Sequence, residues 1–288
     1  MLSSLLSAAA LLSALQHVDT TVAIRPDGRL VVRNFAGEIV VDTWDRNAVR
    51  VRATHSRRER VRVRGSDAAV VVEAHAQHGP TLTVDYHITA PPGVRLDLAG
   101  TYSDIAVEGA RSDVAAQTVR GDVRVRGGSG VVSATSVEGV VSIEGARGRV
   151  SANATNKGIR VADISGQLAA ETVNGDVVME GVLSDDVEAV TTNGNITFDG
   201  DIRDRGRYYF ATHNGRVTVA VPEGTNATVS VSTYSGQFSS SFPVEVTERR
   251  SSRRFSVTLG DGSAQMDLQS FQGAIRLRRP GPPVERDR

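Results

Sequence analysis

Carboxylates recur one residue after a repeated turn position, at Asp104, Asp122 and Asp176, and others fall on a second outward face at Glu171, Glu188 and Asp267. Two carboxyl groups about 5–10 Å apart are the equipment of glycoside hydrolysis, and Arg124 and Arg160 share a face with the first set. Stacked strands would give that separation almost anywhere, so the pattern does not single out an enzyme. Calcium takes about six to eight oxygens, and the chain carries no nonapeptide calcium repeat. The histidines, His17, His55, His75, His78, His87 and His213, show no H-E-x-x-H spacing for zinc, and there is no G-x-S-x-G elbow and no phosphate loop. Cysteine is absent, which removes disulfides, thiolate metal sites, cysteine nucleophiles and an acylated-cysteine anchor. No catalytic residue, metal ligand or cofactor is expected from these residues.

Two further sets point to binding and to structure. Alternating Val/Arg stretches at 49–52 and 61–64 flank a loop with Arg57, Arg58 and Arg60. That basic face is local, because 33 basic residues balance 33 acidic ones and the net charge is zero. The expected partner is an anionic envelope glycan, a lipid head group or another envelope protein. Nucleic acid is not expected, since no global positive field exists and 5% aromatic residues are too few for a base-stacking platform. Asn156, Asn174, Asn193 and Asn214 each precede a turn residue and are expected to stack as an amide ladder, which is a structural role.

These residues sit on a repeat. With a zero at Ser103, Gly121, Gly139, Lys157 and Gly175, the steps are 18 residues; at Gly194, Gly215 and Gly236 they loosen to 19, 21 and 21. Two after each zero stand Ile105, Val123, Val141, Ile159, Val177, Ile196, Val217 and Phe238. Five before stand Leu98, Ala116, Ala134, Ala152, Ala170, Ala189, Phe210 and Val231. The same frame fits Gly37 early and Gly273 late. Apolar and polar residues alternate inside each unit, which is a strand signal. A fixed period near 20 with two strands and two turns marks a β-solenoid, whose coils cannot fold alone and stack collectively. A hexapeptide left-handed helix needs a six-residue apolar repeat that is missing, and a β-sandwich would not hold an 18-residue frame. The reading is all-β: a single-domain β-solenoid, a right-handed β-helix of about ten coils of 18–21 residues with a β-rich N-terminal cap. Glycine at zero suggests a turn with positive φ, the alanine column a thin interior, and Tyr208 and Phe210 a wider one toward the C-terminal side.

Along the chain, residues 1–16 are apolar, uncharged and of signal-peptide length. Residues 17–100 are expected to cap the solenoid and cover its open strand edge, and 101–278 to form the repeat domain. Within it, 241–262 break the frame as a hairpin or irregular coil. Residues 279–288 form a charged, proline-bearing tail expected to be disordered. No transmembrane span is expected in the mature chain.

The motif T-x-N-G-D-V-x-x-x-G, as in Thr172-Val173-Asn174-Gly175-Asp176-Val177 and echoed in Thr191-Thr192-Asn193-Gly194-Asn195-Ile196, resembles a widespread bacterial family, a domain of unknown function labelled putative adhesin. Gly37-Glu38-Ile39 and Thr43-Trp44-Asp45 are similar to its N-terminal part, so the resemblance covers roughly residues 20–278. It implies a β-solenoid in an exported protein of the periplasm, cell surface or exterior, acting as a non-catalytic scaffold or adhesive surface. It defines no catalytic residues. Two alternatives remain: a carbohydrate-active enzyme (polysaccharide lyase or hydrolase) on the same frame, and a regulatory protein of envelope stress.

Overall fold

A computed structural model describes residues 15–76, 83–251 and 253–281. Most of the expected leader, residues 1–14, and the end of the expected tail, 282–288, lie outside it, as do His78 and Leu82. Gln16, inside the expected leader, already opens the strand Gln16–Ala23. Every regular element among the described residues is a strand.

The apolar rows of the repeat stack in register. Val123 pairs with Val141, Val141 with Ile159 and Ile159 with Val177, all in parallel, and all four are buried. The opposite sheet aligns Ala116, Ala134, Ala152, Ala170 and Ala189 in the same way. Alternation is what produces this: with a side-chain period of two, one face of each strand fills the interior and the other meets solvent. The small Cβ of the alanine column lets the two sheets approach. Where the column changes to Phe210, Phe198 packs against it and against Tyr208, with ring centroids 5.2 and 5.8 Å apart.

At the N-terminal end, the strand Arg29–Thr43 pairs along most of its length with Arg95–Ala110, Leu30 opposite Leu96 and Ile39 opposite Ile105. Residues 29–43 are therefore a coil in their own right, and the early Gly37 frame is a stacked one. Its other side is covered by Ala69–Ala76 and Val84–Ala90. Antiparallel strands finish that end: Glu59–Gly65 on one sheet, Ala48–His55 and then Gln16–Ala23 on the other.

At the C-terminal end the stacking order departs from chain order. Arg207–Asn214 pairs with Ala264–Gln272, and Ala264–Gln272 then pairs with Ala227–Thr233. In the other sheet Ile275–Arg278 lies between Val217–Ala220 and Phe238–Ser240. The last coil in sequence is thus inserted between the two that precede it. The even spacing from Gly194 to Gly215 to Gly236 suggests consecutive stacking, and the structure corrects it. Val246–Ser251 and Arg254–Leu259 form an antiparallel hairpin laid on Ala227–Thr233, which ends the stack.

The glycines at zero need a second correction. Gly37, Gly121 and Gly273 do take positive φ, at 106°, 140° and 150°. Gly139, Gly194 and Gly215 do not. A Cβ on any of these three would stand 1.7–1.9 Å from the carbonyl oxygen of the zero residue on the neighbouring coil. Close approach of two backbones selects glycine there, not handedness.

The strand-ending Thr and Ser residues explain what that carbonyl does. Thr118 donates its hydroxyl to the Ser103 carbonyl at 2.9 Å, Ser136 to Gly121 at 2.7 Å, Thr172 to Lys157 at 2.8 Å, Thr212 to Gly194 at 2.9 Å and Ser270 to Gly215 at 2.9 Å. All five hydroxyl residues are buried. At these steps each coil is tied to the one stacked before it by a bond that the strand ladder cannot supply. Ala154 occupies this row opposite Ser136, where a hydroxyl would face the Gly139 carbonyl. Ala154→Ser is expected to stabilise the chain by about 0.5–1.5 kcal/mol, read as a raised midpoint in urea. An unchanged or lowered midpoint would mean that the row does not bind coils together.

Candidate functional site

The outward carboxylates one after the zero are engaged in holding coils together, whereas Glu188 and Asp267 of the second set line a shallow groove with Tyr209. Asp104 Oδ1 accepts the Asp122 amide at 2.7 Å, Asp122 Oδ1 accepts the Val140 amide at 2.9 Å, and Asp176 Oδ1 accepts the Asn195 amide at 2.7 Å. Asn195 continues the scheme to the Arg216 amide at 3.0 Å. The amides of Asn174, Asn193 and Asn214 donate in turn to Asn156, Asn174 and Asn193 at 3.3, 2.8 and 2.8 Å. Glu108 and Glu144 flank Arg126 at 2.9 and 3.2 Å. Among the described residues no cluster of three His, Asp or Glu side chains is placed to hold a metal ion.

Arg57 and Arg58 lie in the turn that joins Ala48–His55 on one sheet to Glu59–Gly65 on the other, and both are exposed. Glu59 is buried and accepts the Ser56 hydroxyl at 2.5 Å, while Ser56 Oγ accepts the Arg58 amide at 3.1 Å. That closed turn projects the two guanidinium groups outward. Arg60 follows on the edge strand, exposed and opposite His75. Other arginines of this end are neutralised: Arg64 by Glu73 and Arg50 by Asp19. The Arg50 guanidinium, hydrogen-bonded to Asp19, holds that carboxyl below its ordinary range. No ion pair among the described residues engages Arg57, Arg58 or Arg60.

A groove of about 710 Å³ lies at the second turn of the coils. The register Val107–Val125–Ile143 places Gly109, Gly127–Gly128 and Gly145 on successive coils, and these glycines form its floor. Gly109, Gly127, Gly128 and Gly145 all have positive φ, so the local turn excludes most side chains. Thr43, Trp44, Asp45 and Pro92 close one end, and Arg111, Ser129 and Arg147 make a wall. Trp44 donates its indole N–H to the Ala48 carbonyl at 2.8 Å, and Arg46 lies 5.2 Å from its ring centroid. Both the lone tryptophan and the glycine turns stand out in the sequence. Their meeting does not, because Trp44 reaches the groove only through the stacking of residues 29–43 on 95–110.

At the zero-side turn, His213, Phe271 and Tyr234 form a parallel ring stack with centroids 4.5 and 4.7 Å apart. The Arg253 guanidinium covers the far face of Tyr234 at 4.4 Å. Sequence reading leaves His213 as a plain surface residue; the inserted coil supplies Phe271 as its neighbour. The faces of Phe271 and Tyr234 are taken up by their neighbours in the stack and by Arg253, so these two rings present edges to solvent.

Residues 29–278 match the family described as Toastrack DUF4097. Among solved structures, one titled a putative adhesin from Parabacteroides merdae ATCC 43184 is similar, with 7% identity and TM-score 0.50 over 94% of this chain and 98% of that one. Another with the same description, from Bacteroides fragilis NCTC 9343, has 10% identity and TM-score 0.44 over 91% and 97% of the two chains. A comparison with curated proteins finds no match.

Proposed function

The chain belongs to the Toastrack DUF4097 family, and on that footing we propose that it is a non-catalytic, adhesin-like binding surface, exported and acting at the bacterial cell envelope. The observation that carries the reading is the use of the outward polar groups. Asp104, Asp122 and Asp176 accept backbone amides of the next coil, and the asparagine column is bonded to itself. A hydrolase needs one carboxyl free to carry a proton and another free to attack or activate water. Here Asp104, Asp122 and Asp176 fasten coils, and the molecule offers long edges with repeated chemistry. The names of the similar solved structures accord with a surface role. No helix among the described residues is long and apolar enough to cross a membrane.

The surface for anionic envelope polymer is the turn with Arg57 and Arg58 together with Arg60 on the strand that follows it. The test is fractionation of the producing cell, followed by binding of the purified chain to isolated envelopes. Replacing all three arginines by serine is expected to lower retention and the salt concentration that releases the protein, because exposed charge pairs are screened over about 8–10 Å at ordinary ionic strength. Equal retention and an equal release point for the triple variant would remove these residues from the surface.

A further inference from the structure

We propose that the glycine-floored groove at Trp44 binds a linear acidic polysaccharide laid along the solenoid axis. The inference rests on the reading of the chain as a binding protein and names a ligand class and a second site for it.

Over three consecutive coils the floor carries no side chain larger than the buried methyl of Ala110, at Gly109, Gly127–Gly128 and Gly145. A Cβ built at Gly145 meets nothing within 4 Å. The floor amides are satisfied within the stack: Gly128 N–H donates to the Ala110 carbonyl and Gly145 N–H to the Ala162 carbonyl. What faces the groove is therefore a flat run of peptide, long in the axial direction and closed at one end by Trp44. On the following coil Asp163 takes the place of the glycine, in the same left-handed conformation at φ 54°, so the side-chain-free run stops there.

The wall decides the charge of the ligand. Val114, Val132 and Val150 align, so Arg111, Ser129 and Arg147 share one column, and Arg111 and Arg147 are two coil steps apart. At a strand spacing of about 4.8 Å that is about 10 Å. Neither guanidinium is held by an acidic partner among the described residues, whereas the adjacent Arg126 sits between Glu108 and Glu144 and Arg120 is paired with Glu138. Among the described residues Asp45 is the one carboxylate lining the groove. Two unneutralised guanidiniums in a row along a trough suit a polymer with carboxylates at a regular repeat. The indole of Trp44 supplies an apolar face for a sugar ring at the closed end. A neutral glycan would leave both arginines without a partner, and a polyphosphate would make no use of the indole.

The test uses the full chain, polygalacturonate oligomers as probe, and neutral cello-oligomers and polyphosphate as comparisons. Wild type is expected to bind polygalacturonate, with Arg111→Ser/Arg147→Ser weakening it at least tenfold. Gly145→Asn, which takes the backbone conformation that Asp163 already adopts, is expected to block the groove with an unchanged circular dichroism spectrum. In the Arg57, Arg58 and Arg60 triple variant, which lacks the other basic surface, the groove substitutions are still expected to weaken the remaining binding at least tenfold. Absence of polygalacturonate binding overturns the proposal, and so does unchanged affinity in both groove variants. Tighter binding of polyphosphate than of polygalacturonate also overturns it. Shortening of the oligomers during the assay would overturn the non-catalytic reading and leave the groove standing, whereas loss of envelope retention alone bears on the turn with Arg57 and Arg58.

Discussion

A chain ended at Asp261 is expected to lose ordered structure well beyond the residues removed. In a solenoid that stacks in chain order, deleting the last coil costs that coil and one interface. Here the deleted segment is interior. Ala264–Gln272 carries Arg207–Asn214 on one side and Ala227–Thr233 on the other, and Ile275–Arg278 likewise separates Val217–Ala220 from Phe238–Ser240. Removal takes away the buried side chains Ala264, Met266, Leu268, Ile275 and Leu277. The four large ones are worth about 1.5–3 kcal/mol each. It also bares two strand edges in each sheet and dissolves the His213–Phe271–Tyr234 stack. The loss is comparable with the whole stability of an ordinary domain, about 5–15 kcal/mol. Coupling runs between neighbours, so the coils before residue 187 should persist. Hydrogen exchange is the measurement. Amides of Arg207–Asn214 and Ala227–Thr233 should exchange as in an unfolded chain, while those of Val123–Gly127 stay protected. If Arg207–Asn214 remained protected, residues 227–240 would have restacked directly on 207–220, and the inserted coil would be dispensable.

That restacking is what the sequence suggests, and the reason is instructive. The repeat reports which residues face inward, because alternation and offset are local properties of each unit. The rows Val123–Val141–Ile159–Val177 and Ala116–Ala134–Ala152–Ala170 are legible for that reason. The frame also places Gly37 and Gly273 correctly in coils. It says nothing about which coil lies beside which, since every coil presents the same apolar columns to either neighbour. Chain order is then the default, and it fails where Val246–Ser251 and Arg254–Leu259 turn back on Ala227–Thr233 and send the chain between two existing coils. The groove was hidden by a related limit. Its glycines are visible as turns, but Trp44 is 65 residues from Gly109 and joins it only across a stacking interface. The outward aspartates were legible as a row and misleading as chemistry. Their partners are backbone amides, which no residue pattern reveals.

Gly194→Ala is expected to be among the most damaging single substitutions in the chain, although it adds one methyl group. The added Cβ would stand 1.9 Å from the Gly175 carbonyl oxygen and 2.4 Å from its carbon. Both atoms are backbone and cannot rotate away. The same oxygen accepts the buried Thr191 hydroxyl at 3.0 Å, so moving it breaks a second contact. Relief requires the two coils to separate at the turn. That strains the amide ladder from Asn193 to Asn174 and the pairing of Ile196 with Val177. Clashes that force backbone apart belong with the rare substitutions costing more than about 4 kcal/mol, which here means a fall in melting temperature of at least about 8 °C. Gly145→Ala is the matched comparison. Its φ is +66° and its Cβ would meet nothing, so the cost is conformational only, about 1–2 kcal/mol. Equal losses at the two sites would mean that the neighbouring carbonyl gives way to the added methyl group at little cost. A loss at Gly194 several times larger identifies the carbonyl of the neighbouring coil as the constraint.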